Sequence, residues 1–131
     1  MTCFWNGILS KLPLSLINKN LKINLDTKPT PNDFVILLKN HATMSVDVKW
    51  NNEPLTQKFM EENIEWISNY KVEGIYQGHD CSTCDPFLLL ISQLFCVDIQ
   101  HTYNNKYVTY TNSKNFDGLI LNFISDTGHF W

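Results

Sequence analysis

Two residue types able to share a proton in nucleophilic catalysis sit at the two extremes of this sequence. Cys3 stands in the opening stretch MTCFWNGILSKL and His129 in the closing stretch DTGHFW. A cysteine attacks carbonyl carbon as the thiolate. If Cys3 opens a helix, the unpaired backbone N–H groups and the positive end of the helix dipole favour that thiolate. Histidine, which titrates near neutrality, can take the thiol proton and later give one to a leaving amine. The backbone N–H of Cys3 would help hold the oxyanion. The product of attack would be a thioester acyl-enzyme that water releases. A helix N-terminus facing a strand that carries histidine would bring the two groups together.

A second group lies in GHDCSTCD, where His79, Cys81 and Cys84 fall within six residues. Two cysteines spaced C-x-x-C beside a histidine have the chemistry of zinc ligands, with Cys96 or His101 as a fourth. The competing reading, which weighs more, makes Cys81 and Cys84 packing residues of a tight loop. His41 is expected at the end of a helix, against its last carbonyls. His101 is expected half-buried on one strand face with Val97, Ile99 and Tyr103. Tyr103, Tyr107 and Tyr110 read as cross-strand packing partners rather than a stacking platform for bases.

The elements that would position these residues follow from periodicity. Phe4, Ile8, Leu9 and Leu12 make one helical face that Pro13 stops. Residues 14–30 read as mixed chain ending in the turn chemistry of DTKPTP. Thr30 and Pro31 then predict an N-cap and first turn for a helix over 31–42, with Phe34, Leu37 and Leu38 inward. SVDVKW alternates as a strand, and NNEP turns the chain. A helix is predicted over 54–69, with Phe59, Ile64, Trp66 and Ile67 as buried candidates. Asp85 and Pro86 predict another cap and first turn, before a helix over FLLLISQLF that is apolar nearly all round and so belongs at the centre of the domain. The period then changes to two. VDIQHTY and KYVTYT are joined through Asn104 and Asn105 as a hairpin, LILNFIS is a third strand, and DTGHFW turns into a last short one. Helices followed by a late hairpin sheet predict an α+β class, with N-terminal helices packed on a small antiparallel sheet.

Composition bounds the rest. The chain has 131 residues, enough for one domain, here taken as 1–131. With 44% hydrophobic and 18% charged residues it reads as globular. Formal net charge is −3, and all ten basic residues are lysine, so no arginine fork exists and nucleic acid is not an expected partner. The longest apolar run, PFLLLISQLF, is about half a membrane span, and a membrane is not expected either. No export signal is evident, so the four cysteines are expected as thiols in a reducing, cytoplasmic compartment.

Three features together resemble the ovarian-tumour (OTU) family of cysteine proteases. CFWNGIL, a cysteine and bulky residues leading a helix, resembles the family's nucleophile helix. DPFLLLISQLFCVDIQHTY, an acidic residue, an apolar helix and a strand, is similar to its later hydrophobic block. GHFW resembles its terminal histidine followed by an aromatic. The likeness covers essentially the whole chain through the order of these blocks. It implies a papain-like fold, a compact viral-type member, and cleavage of amide or isopeptide bonds. The implied partner is ubiquitin, a ubiquitin-like modifier or a polyprotein substrate, with no cofactor. Activity would then sit in a cytoplasm, including that of an infected host cell. Cys3 would be the nucleophile and His129 the general base. The sequence departs from the family at the third member. No residue stands three before Cys3, and Trp131 holds the place of the Asp or Asn that orients the imidazole, which leaves Asn122 or Asp126 as candidates. Without an orienter, the same fold would serve as an inactive binding module. A separate alternative, independent of the resemblance, is a small zinc-stabilised interaction domain built on His79, Cys81 and Cys84.

Overall fold

The computed structural model describes residues 3–45, 47–71, 85–103 and 105–125, with Cys3 and Asp85 described by backbone alone. These residues form helices α1 (Cys3–Lys11), α2 (Leu14–Leu21), α3 (Pro31–Asn40), α4 (Gln57–Asn69) and α5 (Asp85–Phe95), and strands β1 (Val48–Trp50), β2 (Glu53–Pro54), β3 (Asp98–Tyr103), β4 (Lys106–Asn112) and β5 (Ile120–Ser125). The class is α+β. No helix among the described residues is long and apolar enough to cross a membrane.

Local chemistry explains most boundaries. Thr30 caps α3 by accepting the Asp33 N–H at 3.2 Å, with Pro31 in the first turn, as its sequence predicts. Thr56 caps α4 in the same way through the Phe59 N–H at 3.1 Å. Pro54 therefore belongs to β2, and the helix starts three residues later than its predicted bound. Segment 14–30, expected as mixed chain, contains α2. Its apolar signal is short, with Ile17 and Leu21 buried one turn apart and polar residues between them. Lys22 ends it in a left-handed conformation, φ 56°.

The sheet also differs from the expected late antiparallel one. It has five strands in the order β2-β1-β4-β3-β5, and β5 runs parallel to β3. Two connections cause this. The short strand β1, far back in the sequence, pairs with the outer edge of β4, Val48 facing Asn112. The chain after β4 passes round the start of β3, where the Asp98 N–H donates to Leu119 O at 3.1 Å, and enters on the far side. At the same end of the sheet, Asp47 meets Lys114 at 3.3 Å, and that lysine with the Ser45 hydroxyl holds its carboxyl below the usual range.

α5 lies against β4, β1 and β3, which is the central place its sequence predicts. Phe87, Leu88, Leu89, Leu90, Ile91 and Phe95 are all buried. Ser92 fixes its end, donating to Val97 O at 2.7 Å while its own carbonyl receives Asn112 Nδ2 at 2.7 Å. On α4 the inward face is Met60, Asn63 and Ile67. Trp66 instead stays 38% exposed. Asn63 can be buried because its amide donates to Phe59 O at 2.7 Å. Trp66 lies outside that face and packs sideways on Tyr70 and Phe87, ring centroids 5.5 Å away in both cases.

Candidate functional site

Cys3 is the first described residue of α1 and lies in its opening turn. That is the position the thiolate argument requires. His129, Asp126, His79, Cys81 and Cys84 lie outside the described residues, as does the side chain of Cys3. What can be built from the residues upward is therefore the frame: the helix that carries Cys3 and the strand that leads to His129.

The start of α1 is held by aromatic packing. Trp5 is fully buried, with ring centroids 4.8 Å from Phe4, 4.7 Å from Phe87 and 6.3 Å from both Phe34 and Tyr70. Edge-on contacts of this kind add about 0.5–1.5 kcal/mol each beyond area burial. They join α1 to α3, to α5 and to the end of α4. Trp5 lies outside the predicted face of Phe4, Ile8, Leu9 and Leu12, although Trp5, Ile8, Leu9 and Leu12 fall at i, i+3, i+4 and i+7, the spacing that finds it. At the other end of α1, Lys28 Nζ donates to Leu9 O at 2.7 Å, so a cation sits at the negative end of the dipole.

β5 alternates strictly, with Leu121, Phe123 and Ser125 inward and Ile120, Asn122 and Ile124 exposed. The candidate orienter Asn122 thus puts its side chain on the solvent face, opposite Gln100 in the register. Its carbonyl accepts the ammonium of Lys11, the last residue of α1, and that ammonium also lies 4.7 Å from the Phe123 ring centroid. The helix headed by Cys3 thus touches the strand that precedes His129 through Lys11, at the helix end away from Cys3.

The remaining histidines take structural places. His41 Nδ1 meets Leu37 O at 2.8 Å at the end of α3, as expected from sequence. His101 is more deeply placed than the half-buried expectation: it is 2% exposed, with Nε2 2.5 Å from Ser125 Oγ, itself 3% exposed. Burial pushes its imidazole down to about 4. Cys96, half-buried at the end of α5, adopts φ 53°. No group of three His, Cys, Asp or Glu among the described residues is arranged to hold a metal. Of the tyrosines, Tyr110 is buried opposite Ile99 and Tyr103 half-buried, whereas Tyr107 is 59% exposed and outside the expected packing set.

Comparison with family models, with curated proteins and with solved structures finds no match for this chain.

Proposed function

We propose that the protein is a cysteine-type hydrolase of papain-like, OTU-like design, cleaving amide or isopeptide bonds next to ubiquitin, a ubiquitin-like modifier or a polyprotein junction. Cys3 is the nucleophile and His129 its general base. The observation that carries the proposal is the adjacency of α1 and β5 through Lys11 and the Asn122 carbonyl. From Lys11 back to Cys3 the helix rises about 12 Å. From Asn122 to His129 the chain can span up to about 23 Å. A chain of that length could bridge the rise of the helix, and the N-terminus of α1 is the end at which a thiolate is stabilised.

The chemical sequence needs few parts. His129 takes the thiol proton, the thiolate attacks the carbonyl carbon, and the Cys3 N–H supports the oxyanion. The imidazolium protonates the leaving amine, and water then cleaves the thioester. The test is capture by a ubiquitin-type probe with a C-terminal electrophile. A covalent adduct with wild type, absent in Cys3→Ala, supports the proposal. Failure of every modifier probe, and of junction peptides carrying the same electrophile, to form an adduct with Cys3 intact contradicts it.

One observation favours a second reading, a binding module of the same design without catalysis. Asn122 turns its amide to solvent, and Trp131 cannot accept a hydrogen bond from imidazole. Losing the orienter lowers rate by roughly 10⁴ in the serine analogue. Non-covalent retention of a modifier, with no adduct, would select this reading.

A further inference from the structure

The chain between β4 and β5 holds a large apolar side chain out in water: Phe116 is 88% exposed. The loop that carries it is braced along its length. Asn112 Oδ1 receives the Lys114 N–H at 2.8 Å, and Asn115 exchanges two hydrogen bonds with the Leu119 backbone, at 3.0 and 3.2 Å. Gly118 adopts φ 71°, in the region that favours glycine. Lys114 is drawn to Asp47 at 3.3 Å, and the Ser113 N–H donates to Asp47 O at 2.9 Å. The ring is therefore presented by a segment ordered in advance, which lowers the entropy cost of docking it.

Phe116 borders an open pocket of about 400 Å³ whose walls come from α2, the end of α5 and this loop. Leu16 lines it from α2, and Asn20, whose amide donates to Leu94 O at 3.0 Å, ties that helix to α5. From α5 come the buried ring of Phe95 and the half-buried Cys96 that follows it. Three exposed charges of both signs complete the lining: Lys19 on α2, and Lys114 and Asp117 on the loop. Lys114 is engaged by Asp47, whereas Lys19 and Asp117 make no ion pair among the described residues.

The patch thus presents a knob and a hole together with a cation and an anion. An acidic partner would be opposed by Asp117, and a basic one by Lys19 and Lys114. A small apolar ligand would fill the hole and leave Phe116 in water. The same patch turned through a two-fold axis answers all four features at once. We propose that this face is a self-docking surface on which two copies of the chain form a two-fold dimer. Phe116 of each copy enters the pocket of the other, against Leu16, Phe95 and Cys96, and Asp117 of each meets Lys19 of the other. A benzene ring fits a cavity of about 150 Å³, so the pocket holds a phenyl ring with space for the side chains around it. Burial of the two rings supplies the attraction, and the two charge pairs fix the register. The dimer does not depend on the hydrolase reading.

Sedimentation velocity of the full chain, from micromolar to millimolar protein with reductant present, tests this. A monomer–dimer equilibrium that weakens with added salt is expected. Phe116→Ser should raise the Kd of the dimer at least about tenfold, with the thermal unfolding of the monomer unchanged because the ring is exposed. Asp117→Lys and Lys19→Asp should each weaken the dimer, and the chain carrying both should recover it, a rescue that a merely damaged fold would not give. Cys96 supplies a local readout. Its alkylation, mapped by mass spectrometry, should slow as wild-type concentration rises and should not slow in Phe116→Ser. A chain that stays monomeric throughout the range overturns the proposal, including one that takes up an acidic peptide at this pocket instead. A dimer whose Kd is unmoved by Phe116→Ser, or whose Cys96 reacts equally fast at every concentration, also overturns it, because the contact then lies elsewhere. A double charge variant no better than either single one overturns the pairing of Asp117 with Lys19 and the two-fold arrangement with it.

Discussion

Among the described residues, the two outer strands of the sheet are built on different principles. At one edge, β2 is two residues long, exposed, and made of Glu53 and Pro54. It is closed by a local turn in which Asn51 and Asn52 take φ 50° and 65°, the left-handed pair that suits a tight hairpin. A charge and a proline on so short a strand leave little template for pairing with another chain. At the other edge, β5 is six residues long and parallel to its neighbour, and its sequence alternates buried and exposed. It is held by groups far away in the sequence: Phe123 in the core, Lys11 from the first helix and His101 from β3. One edge is closed by its own tight turn and braced on Thr109 of β4; the other depends on the whole fold being in place. The edge that depends on the whole fold is the one that leads to His129.

That contrast can be broken at either edge. The largest effect is expected from Phe123→Ala, which empties a fully packed position under β5 and should lower stability by about 3–5 kcal/mol in urea or thermal unfolding. Next comes acid. His101 is lowered from 6.5 to about 4 in the folded chain, so the unfolded chain binds more protons between those values. Its contribution to stability is therefore complete above pH 6.5 and lost as pH falls towards 4, by up to about 3 kcal/mol. Unfolding curves of wild type and His101→Gln should converge as pH drops through that window. At the opposite edge, Asn51→Ala removes a side chain tolerant of the left-handed region and the acceptor that holds the Thr109 N–H at 2.8 Å. A loss of about 1–2 kcal/mol is expected. Pro54→Ala, on the exposed strand, should change stability by less than about 0.5 kcal/mol. Equal effects at Phe123 and Pro54 would erase the distinction between the edges.

The same contrast explains what the sequence makes legible. Thr30 with Pro31, the apolar run of α5, the Asn-rich hairpins and the alternation of β5 are local signals, and each element lies where its signal puts it. The sheet order is not local. Val48 pairs with Asn112 across 64 positions, and nothing in the alternation of LILNFIS distinguishes a parallel from an antiparallel neighbour. α2 escapes because two buried residues separated by Asn18, Lys19 and Asn20 give too short a stripe. Trp66 misleads because an aromatic is the natural choice for the core, while Asn63 becomes an acceptable core residue only once its amide finds the Phe59 carbonyl. Of the candidate site, the helical start at Cys3 is readable in advance. The neighbouring of α1 and β5 is not, because it depends on a lysine reaching a main-chain carbonyl 111 residues away.

The proposed hydrolase requires the thiol of Cys3 and the imidazole of His129 to form one ionic unit. The most direct measurement is the pH dependence of Cys3 alkylation by iodoacetamide, mapped by mass spectrometry, in wild type and His129→Ala. A thiolate that forms well below the ordinary 8.5 of a cysteine in wild type, and shifts upward by a unit or more when His129 is removed, is the expected result. Alkylation with a midpoint near 8.5 in both proteins would contradict it.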